Sequence, residues 1–180
     1  MPEIWFRNAD TRFPFLHDDA RQAAARWHGD REGPAQYLAD TPDGAWAEFL
    51  RHEGIVDASD LAGVERDLWA IELEPRGESL ELPLLPETTL RGNRSTYAAC
   101  WAEAARLRAR GATGLIAPTA GLRNSAAGGQ RCSDGALHEH SGERDGKTLV
   151  LFGARPECSG WRCCHRGRPD GRLIELVRPF

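Results

Sequence analysis

The chain has almost no lysine or methionine and no long apolar run. Lys147 is its only lysine, and one methionine stands against six tryptophans (5, 27, 46, 69, 101 and 161), which predicts rigid rather than adaptable packing. No apolar stretch approaches the roughly 20 residues that a bilayer-spanning helix needs. The opening Met-Pro-Glu-Ile-Trp-Phe-Arg has neither a basic start nor an apolar core, so no secretory signal is expected. The five cysteines (100, 132, 158, 163 and 164) form an odd set, which favours reduced thiols over a disulfide framework. These readings together predict a cytoplasmic protein that does not engage membrane. A Walker-type Gly-Lys-Ser/Thr loop and a Gly-x-Ser-x-Gly elbow are both missing, so neither P-loop nor serine-hydrolase chemistry has a foothold. Gly128-Gly129 lacks the strand–helix context of a Rossmann fingerprint. Strong charge of either sign is absent too. Lys+Arg 23 against Asp+Glu 27 gives −4, which supplies no pull toward nucleic acid.

What is present is an average globular composition, 41% hydrophobic and 28% charged over 180 residues, sized for one domain spanning 1–180. Short strands are expected over Ile4–Arg7, Gln36–Ala39, Arg66–Glu74, Glu78–Leu82, Gly114–Ala117, Lys147–Phe152 and Arg172–Val177. A helix should begin at Pro42 with Thr41 as its cap and Gly54 beyond its end. A second should cover about 96–110, capped by Asn93 or Ser95 and closed by Gly111, with Tyr97, Trp101, Ala104 and Leu107 on one stripe. Phe13–Arg31 is ambiguous: its alanines favour helix, but no stripe of period 3.6 supports one. Residues at about 120–146 form a long Gly/Ser/Ala-rich connection, of a length that is usually functional or mobile. About three helical pieces and six or seven irregularly ordered strands predict a mixed α/β (α+β) domain.

The chemistry-bearing stretch lies between Ala25 and Gly54. It sets Arg26 beside Trp27, then Tyr37 in a strand, then Glu48 in the following helix. An arginine can grip phosphate bidentately, a tyrosine can stack or hydrogen-bond, and a carboxylate can stabilise positive charge. Together they suit cleavage at a ribose C1, where the transition state resembles an oxocarbenium ion. Periodicity gives a plainer alternative. Trp46, Phe49, Leu50 and Glu53 fall on one helix face and Glu48 lies nearly opposite, where a glutamate is ordinarily solvated. On that alternative Arg26 is a surface arginine and Tyr37 a core tyrosine.

Arg26-Trp27-His28, Tyr37-Leu38-Ala39 and Ala45-Trp46-Ala47-Glu48 resemble the RES-domain family. The likeness continues at Leu68-Trp69-Ala70-Ile71, at Gly114 to Ala120 and at Leu149 to Gly153. It implies a fold similar to the ADP-ribosyltransferases, with short strands around a cleft. It also implies a toxin-type enzyme that cleaves the nicotinamide–ribose bond of NAD by phosphorolysis or hydrolysis and is neutralised by a cognate antitoxin. NAD is then substrate, orthophosphate a co-substrate, and no separate cofactor is needed. Arg26 takes the family arginine, which would hold pyrophosphate or the incoming phosphate. Tyr37 takes the tyrosine beside nicotinamide, with Trp27 next to the substrate, and Glu48 takes the glutamate at the ribose. The family serine usually stands in Pro-Ser-Ala, whereas here the triplet is Pro118-Thr119-Ala120. Threonine keeps the hydroxyl but adds a methyl at a position expected to touch ligand, with Ser125 and Ser133 as substitute hydroxyls.

Three other functions stay open on sequence grounds. They are ADP-ribosyl transfer to a macromolecule, a specialised metabolic activity on the same fold, and a non-catalytic NAD-binding module. A homo-oligomer is open as well. Cys158, Cys163, Cys164 and His165, with His138 and His140 upstream, form a zinc candidate whose Cys158-x4-Cys163 spacing lies at the loose end of the usual range; buried thiols in a strand are the plainer reading, and no metal is expected. In a strand, Cys163 and His165 would share a face and Cys164 would point away. Two arginine groups, at 162, 166, 168 and 172 and at 91, 94, 106, 108 and 110, either meet an anion or form a solvated face.

Overall fold

A computed structural model describes residues 3–17, 22–30, 32–74, 77–139, 142–155 and 157–179. Two antiparallel strands, β1 (Glu3–Asp10) and β2 (Ala35–Ala39), precede helix α1 (Pro42–Glu53). Strands β3 (Arg66–Leu73) and β4 (Leu80–Glu81) follow, then the short α2 (Glu87–Leu90), α3 (Tyr97–Ala109) and β5 (Gly114–Pro118). A separate hairpin, β6 (Gln130–Ser133) and β7 (Ala136–Glu139), leads to β8 (Lys147–Phe152) and β9 (Ser159–Gly167). Seven strands form one sheet in the order β4-β5-β8-β2-β1-β3-β9, antiparallel except for the β4–β5 pair. This is the mixed α/β architecture that the pattern predicts.

The local rules explain α1 well. Thr41 accepts the Gly44 amide at 2.9 Å, Pro42 opens the first turn, and Gly54 ends the helix with φ +69°. Alternation along β2 and β8 divides the core into two sides. Ala39 joins α1, Leu50, Leu68 and Leu122 on one side, where Val150 also meets α3 through Cys100, Ala104 and Leu107. Leu38, Leu149 and Leu151 pack with Trp5 and Ile71 on the other. Helices α1 and α3 therefore lie over different halves of one sheet face.

The seam between those halves is thin. β1 pairs with β3 at eight positions and β2 with β8 at five, but β1 meets β2 only at Phe6↔Ala39. The two strands part on either side of that rung, and the cleft opens there.

Several expectations need correction. Arg172–Val177 is not a strand: Gly171–Leu176 is a 3-10 helix capped by Asp170, which accepts the Arg172 amide at 2.9 Å. The described parts of 13–31 hold no helix, only an Ala25↔His28 bridge, in keeping with the missing stripe; residues 18–21 and 31 lie outside the described residues. The long connection carries the β6–β7 hairpin, turned by Asp134 and Gly135, both at positive φ. Asn93 caps a 3-10 turn, Arg94–Thr96, that runs into α3. The buried α3 residues are Cys100, Glu103, Ala104 and Leu107, so Tyr97 and Trp101 stand at the margin of the stripe.

Candidate active site

A cleft of about 430 Å³ lies along the β1–β2 seam, walled by α1 and by the Ala23–Trp27 segment. Glu48 reaches into it, and the solvated reading of this residue fails for a physical reason. α1 is covered on a second face, where Gly44, Ala47 and Arg51 are buried and Glu48 is half-buried, because the chain after β5 crosses it closely. A Cβ on Gly121 would stand 2.6 Å from the Glu48 nitrogen and 2.8 Å from the Ala47 carbonyl carbon, so only glycine permits the approach.

That approach delivers four donors to one oxygen. Glu48 Oε1 accepts the Thr119 hydroxyl at 2.6 Å, the Ala120 and Gly121 amides at 2.9 Å each, and the Thr148 hydroxyl at 3.1 Å. Oε2 has no hydrogen-bond partner among the described residues. One oxygen fixes the carboxylate and the other remains for a ligand in the cleft.

Thr119 is 1% exposed and does not line the cleft. Its hydroxyl donates to Glu48 and accepts the Gly121 amide at 3.1 Å, while its methyl faces Gly146, where an added Cβ would come within 2.8 Å of it. The expected contact between threonine and ligand is thus replaced by a contact with the glutamate. Ser125 and Ser133 do not line the cleft either.

Arg26 lines the cleft and is buried. Its guanidinium donates to the Gly92 carbonyl at 2.6 Å and more weakly to Thr89 O and Thr96 Oγ, and it lies 5.0 Å from the Tyr97 ring centre. Arg51, three residues after Glu48 on α1, reaches the same Gly92 carbonyl at 2.9 Å and also donates to the Ala120 carbonyl. The Ala120 peptide is therefore held at both ends from one helix face, its N–H on Glu48 and its C=O on Arg51. Burial lowers the Arg51 pKa from its ordinary value, with Arg26 adding to the effect.

Tyr37 presents its ring to the cleft, but its hydroxyl is turned inward. It accepts the Trp27 amide at 2.9 Å and meets His28 Nδ1 at 2.9 Å, while His28 Nε2 lies 2.9 Å from Ala23 O. Since a carbonyl can only accept, neutral His28 carries its proton on Nε2 and receives the Tyr37 hydroxyl on Nδ1. Burial pushes the Tyr37 pKa well above the ordinary phenol value and lowers that of His28. Trp27, 1% exposed, belongs to the core cluster that holds Ala35, Cys100 and Leu107, and it also borders the cleft.

Sequence reasoning missed Arg51, Arg66, Asn8, Thr148 and Gly121. Only Arg51 left a local signal, its i+3 spacing from Glu48; the others arrive from distant strands and loops. Neither arginine group lines the cleft: Arg162 pairs with Asp67, Arg166 with Glu65, Arg91 with Glu87 and Asp145, and Arg106 with Glu103. His165 Nδ1 bonds Asp67 at 2.9 Å, and Cys164 packs into the core beside α1. His140 lies outside the described residues. Among the described residues no helix is long and apolar enough to cross a membrane.

A mixed sheet parted at its centre, with a glutamate clamped on one wall and arginines around it, defines a cleft of the kind that the sequence likeness implied. The RES domain family model matches residues 4–164, and the chain belongs to that family. No curated protein matches it significantly. Among solved structures it is similar to a chain in the crystal structure of the M. tuberculosis MbcT–MbcA toxin–antitoxin complex. That similarity has a TM-score of 0.62 at 17% identity and covers 97% of this chain and 88% of the other.

Proposed function

We propose that the protein cleaves the nicotinamide–ribose bond of NAD, as a toxin-type RES enzyme that passes the ADP-ribosyl group to orthophosphate or water. The observation that carries this reading is Glu48: a carboxylate locked through one oxygen by four donors, its other oxygen without a described partner, on a residue that lines a cleft with Arg7, Arg26, Arg51 and Arg66. Such a group needs no reorganisation when positive charge develops at C1 of the ribose, and preorganised electrostatics is the largest contribution a site of this kind makes. The C1–nitrogen bond breaks with its electron pair going to nicotinamide, which leaves as a neutral base without a general acid. An oxygen of phosphate then closes on C1 to give ADP-ribose 1″-phosphate, or water does so and loses a proton to solvent to give ADP-ribose.

In this reading Glu48 is the catalytic residue and Thr119 its positioning residue. Arg26 gives the cleft its positive wall, and the Tyr37 ring borders the nicotinamide. The toxin–antitoxin complex of the structural neighbour supports the companion proposal that a cognate antitoxin restrains the enzyme. The test is incubation of purified protein with NAD, with and without orthophosphate, followed by product separation. Nicotinamide release with ADP-ribose 1″-phosphate forming only in phosphate supports phosphorolysis. Label from NAD entering protein or nucleic acid would point to transfer instead, and absence of nicotinamide release would overturn the reading.

A further inference from the structure

Among the described residues four arginines line the cleft, and one of them is disposed differently from the rest. Arg7 donates to the Gln36 side chain, Arg26 to the carbonyls of Thr89 and Gly92, and Arg51 to those of Ala120 and Gly92. Arg66, the first residue of β3, gives only its Nε to a described acceptor, Asn8 Oδ1, at 2.7 Å. Its guanidinium lies 4.6 Å from the centre of the Phe49 ring, and the Asn8 amide is itself tied to the Ala45 carbonyl on α1.

These contacts fix the direction of the Arg66 fork. Its two terminal nitrogens have no hydrogen bond or ion pair with another described residue. The carboxylates that act on it are those of Asp10 and Glu53. Asp10 is already engaged by Arg12 at 3.0 and 2.8 Å, and Glu53 is exposed at the last turn of α1. A planar guanidinium held by its Nε and by an aromatic face offers two parallel N–H donors, the arrangement that matches a phosphate. Position agrees with this. Glu48, Phe49 and Arg66 line the same cleft, and in a pyridine dinucleotide one ribose separates the scissile bond from the pyrophosphate.

We infer that Arg66 is the anion-recognition residue of the cleft and takes the pyrophosphate of the dinucleotide, while Arg26 and Arg51 build the wall. The inference rests on the NAD reading and adds a binding role for a residue outside the Arg26–Tyr37–Glu48–Thr119 set.

The experiment compares the parent with Arg66→Gln and Arg66→Lys, measuring nicotinamide release from NAD and ADP-ribose binding by calorimetry. Arg66→Gln should raise KM for NAD and weaken ADP-ribose binding by about tenfold or more, the scale of a lost charge-assisted pair. Its kcat should stay within about threefold of the parent, as expected for lost uniform binding. Arg66→Lys keeps the charge and the stem over Phe49 and should fall between the two. If Arg66→Gln does not fold, a severalfold rise in KM for Arg66→Lys carries the test. Unchanged KM and ADP-ribose affinity in an active enzyme would overturn the role of Arg66 and leave the NAD reading standing. A parent that neither releases nicotinamide nor binds ADP-ribose would overturn both.

Discussion

The hydroxyl of Thr119 lies 2.6 Å from Glu48 Oε1, and the same hydroxyl accepts the Gly121 amide. Threonine thus closes a ring of contacts behind the carboxylate, out of reach of anything in the cleft. Replacing the hydroxyl by a methyl in Thr119→Val removes one of the four donors from Oε1. NAD cleavage should fall about tenfold, and stability by about 1–2 kcal/mol. Thr119→Ser keeps the donor and should retain activity, at a cost of about 1 kcal/mol for the lost methyl against Gly146. Nicotinamide release and thermal melts of the three proteins check both halves. Equal turnover by Thr119→Val and the parent would show that the hydroxyl does not position the glutamate.

Glu48→Gln preserves an oxygen that can accept from Thr119, Ala120, Gly121 and Thr148, so the fold should survive. Losing the charge opposite a cationic transition state should cost several kcal/mol of barrier, a hundredfold or more in kcat. A folded Glu48→Gln enzyme that releases nicotinamide at the parent rate would sink the catalytic assignment.

Gly121→Ala places a methyl where the backbone of α1 already stands. The helix and the loop must separate, costing about 1–3 kcal/mol as overpacking does. The same displacement draws the Ala120 and Gly121 amides away from Glu48. Activity should fall further than the melting temperature alone would suggest, which single-temperature assays well below the melt can resolve.

His28 predicts a pH dependence of stability. Its folded pKa lies below the ordinary value of 6.5 because burial disfavours the cation, and Nδ1 is already occupied by the Tyr37 hydroxyl. The unfolded chain therefore binds a proton that the folded chain refuses. The stabilisation is fully present above about pH 6.5 and is lost as pH falls from there toward the folded pKa. Asp10, Asp67, Asp145 and Asp170 are all held below 3.8, so their losses belong to a more acidic window. Denaturant titrations of the parent and of His28→Gln between pH 8 and 5 isolate the effect. Parallel curves would remove it.

Tyr37→Phe leaves the Trp27 amide and His28 Nδ1 without their shared partner. The expected loss is about 1–3 kcal/mol, since buried groups are left unsatisfied. Because the ring still borders the cleft, kcat should change much less than stability; the reverse pattern would assign the hydroxyl a direct role.

Much of the frame was legible from local signals. Thr41, Pro42 and Gly54 bounded α1 as capping rules require, and the apolar runs at 114–117 and 147–152 became adjacent central strands. What failed was the inference from helix period to exposure. Period 3.6 locates one apolar face, but a helix crossed closely by a loop acquires a second buried face made of small and charged residues. Gly44, Glu48 and Arg51 carry no hydrophobic signature, so periodicity pointed away from Glu48 and the family likeness decided for it. The C-terminal 171–176 shows a related limit, because so short a stretch, with Leu173, Ile174 and Leu176 among polar residues, fits a strand or a short helix until Asp170 caps it. Arg66 and Asn8 were invisible because their meeting depends on the pairing of β1 with β3, 58 residues apart in the chain.

The single rung at Phe6↔Ala39 also has a mechanical meaning. A sheet resists bending where its ladder is continuous and yields where the ladder is interrupted. β4-β5-β8-β2 and β1-β3-β9 are each laddered internally, so deformation concentrates along the line between them. Glu48 is bonded to Thr119 and Thr148, which travel with the first set of strands, whereas Arg66 opens β3 in the second. Helix α1 spans that line, because the Arg66 guanidinium rests on Phe49 and the Asn8 amide on the Ala45 carbonyl, so a change in the angle between the two wings would strain the contacts that orient Arg66.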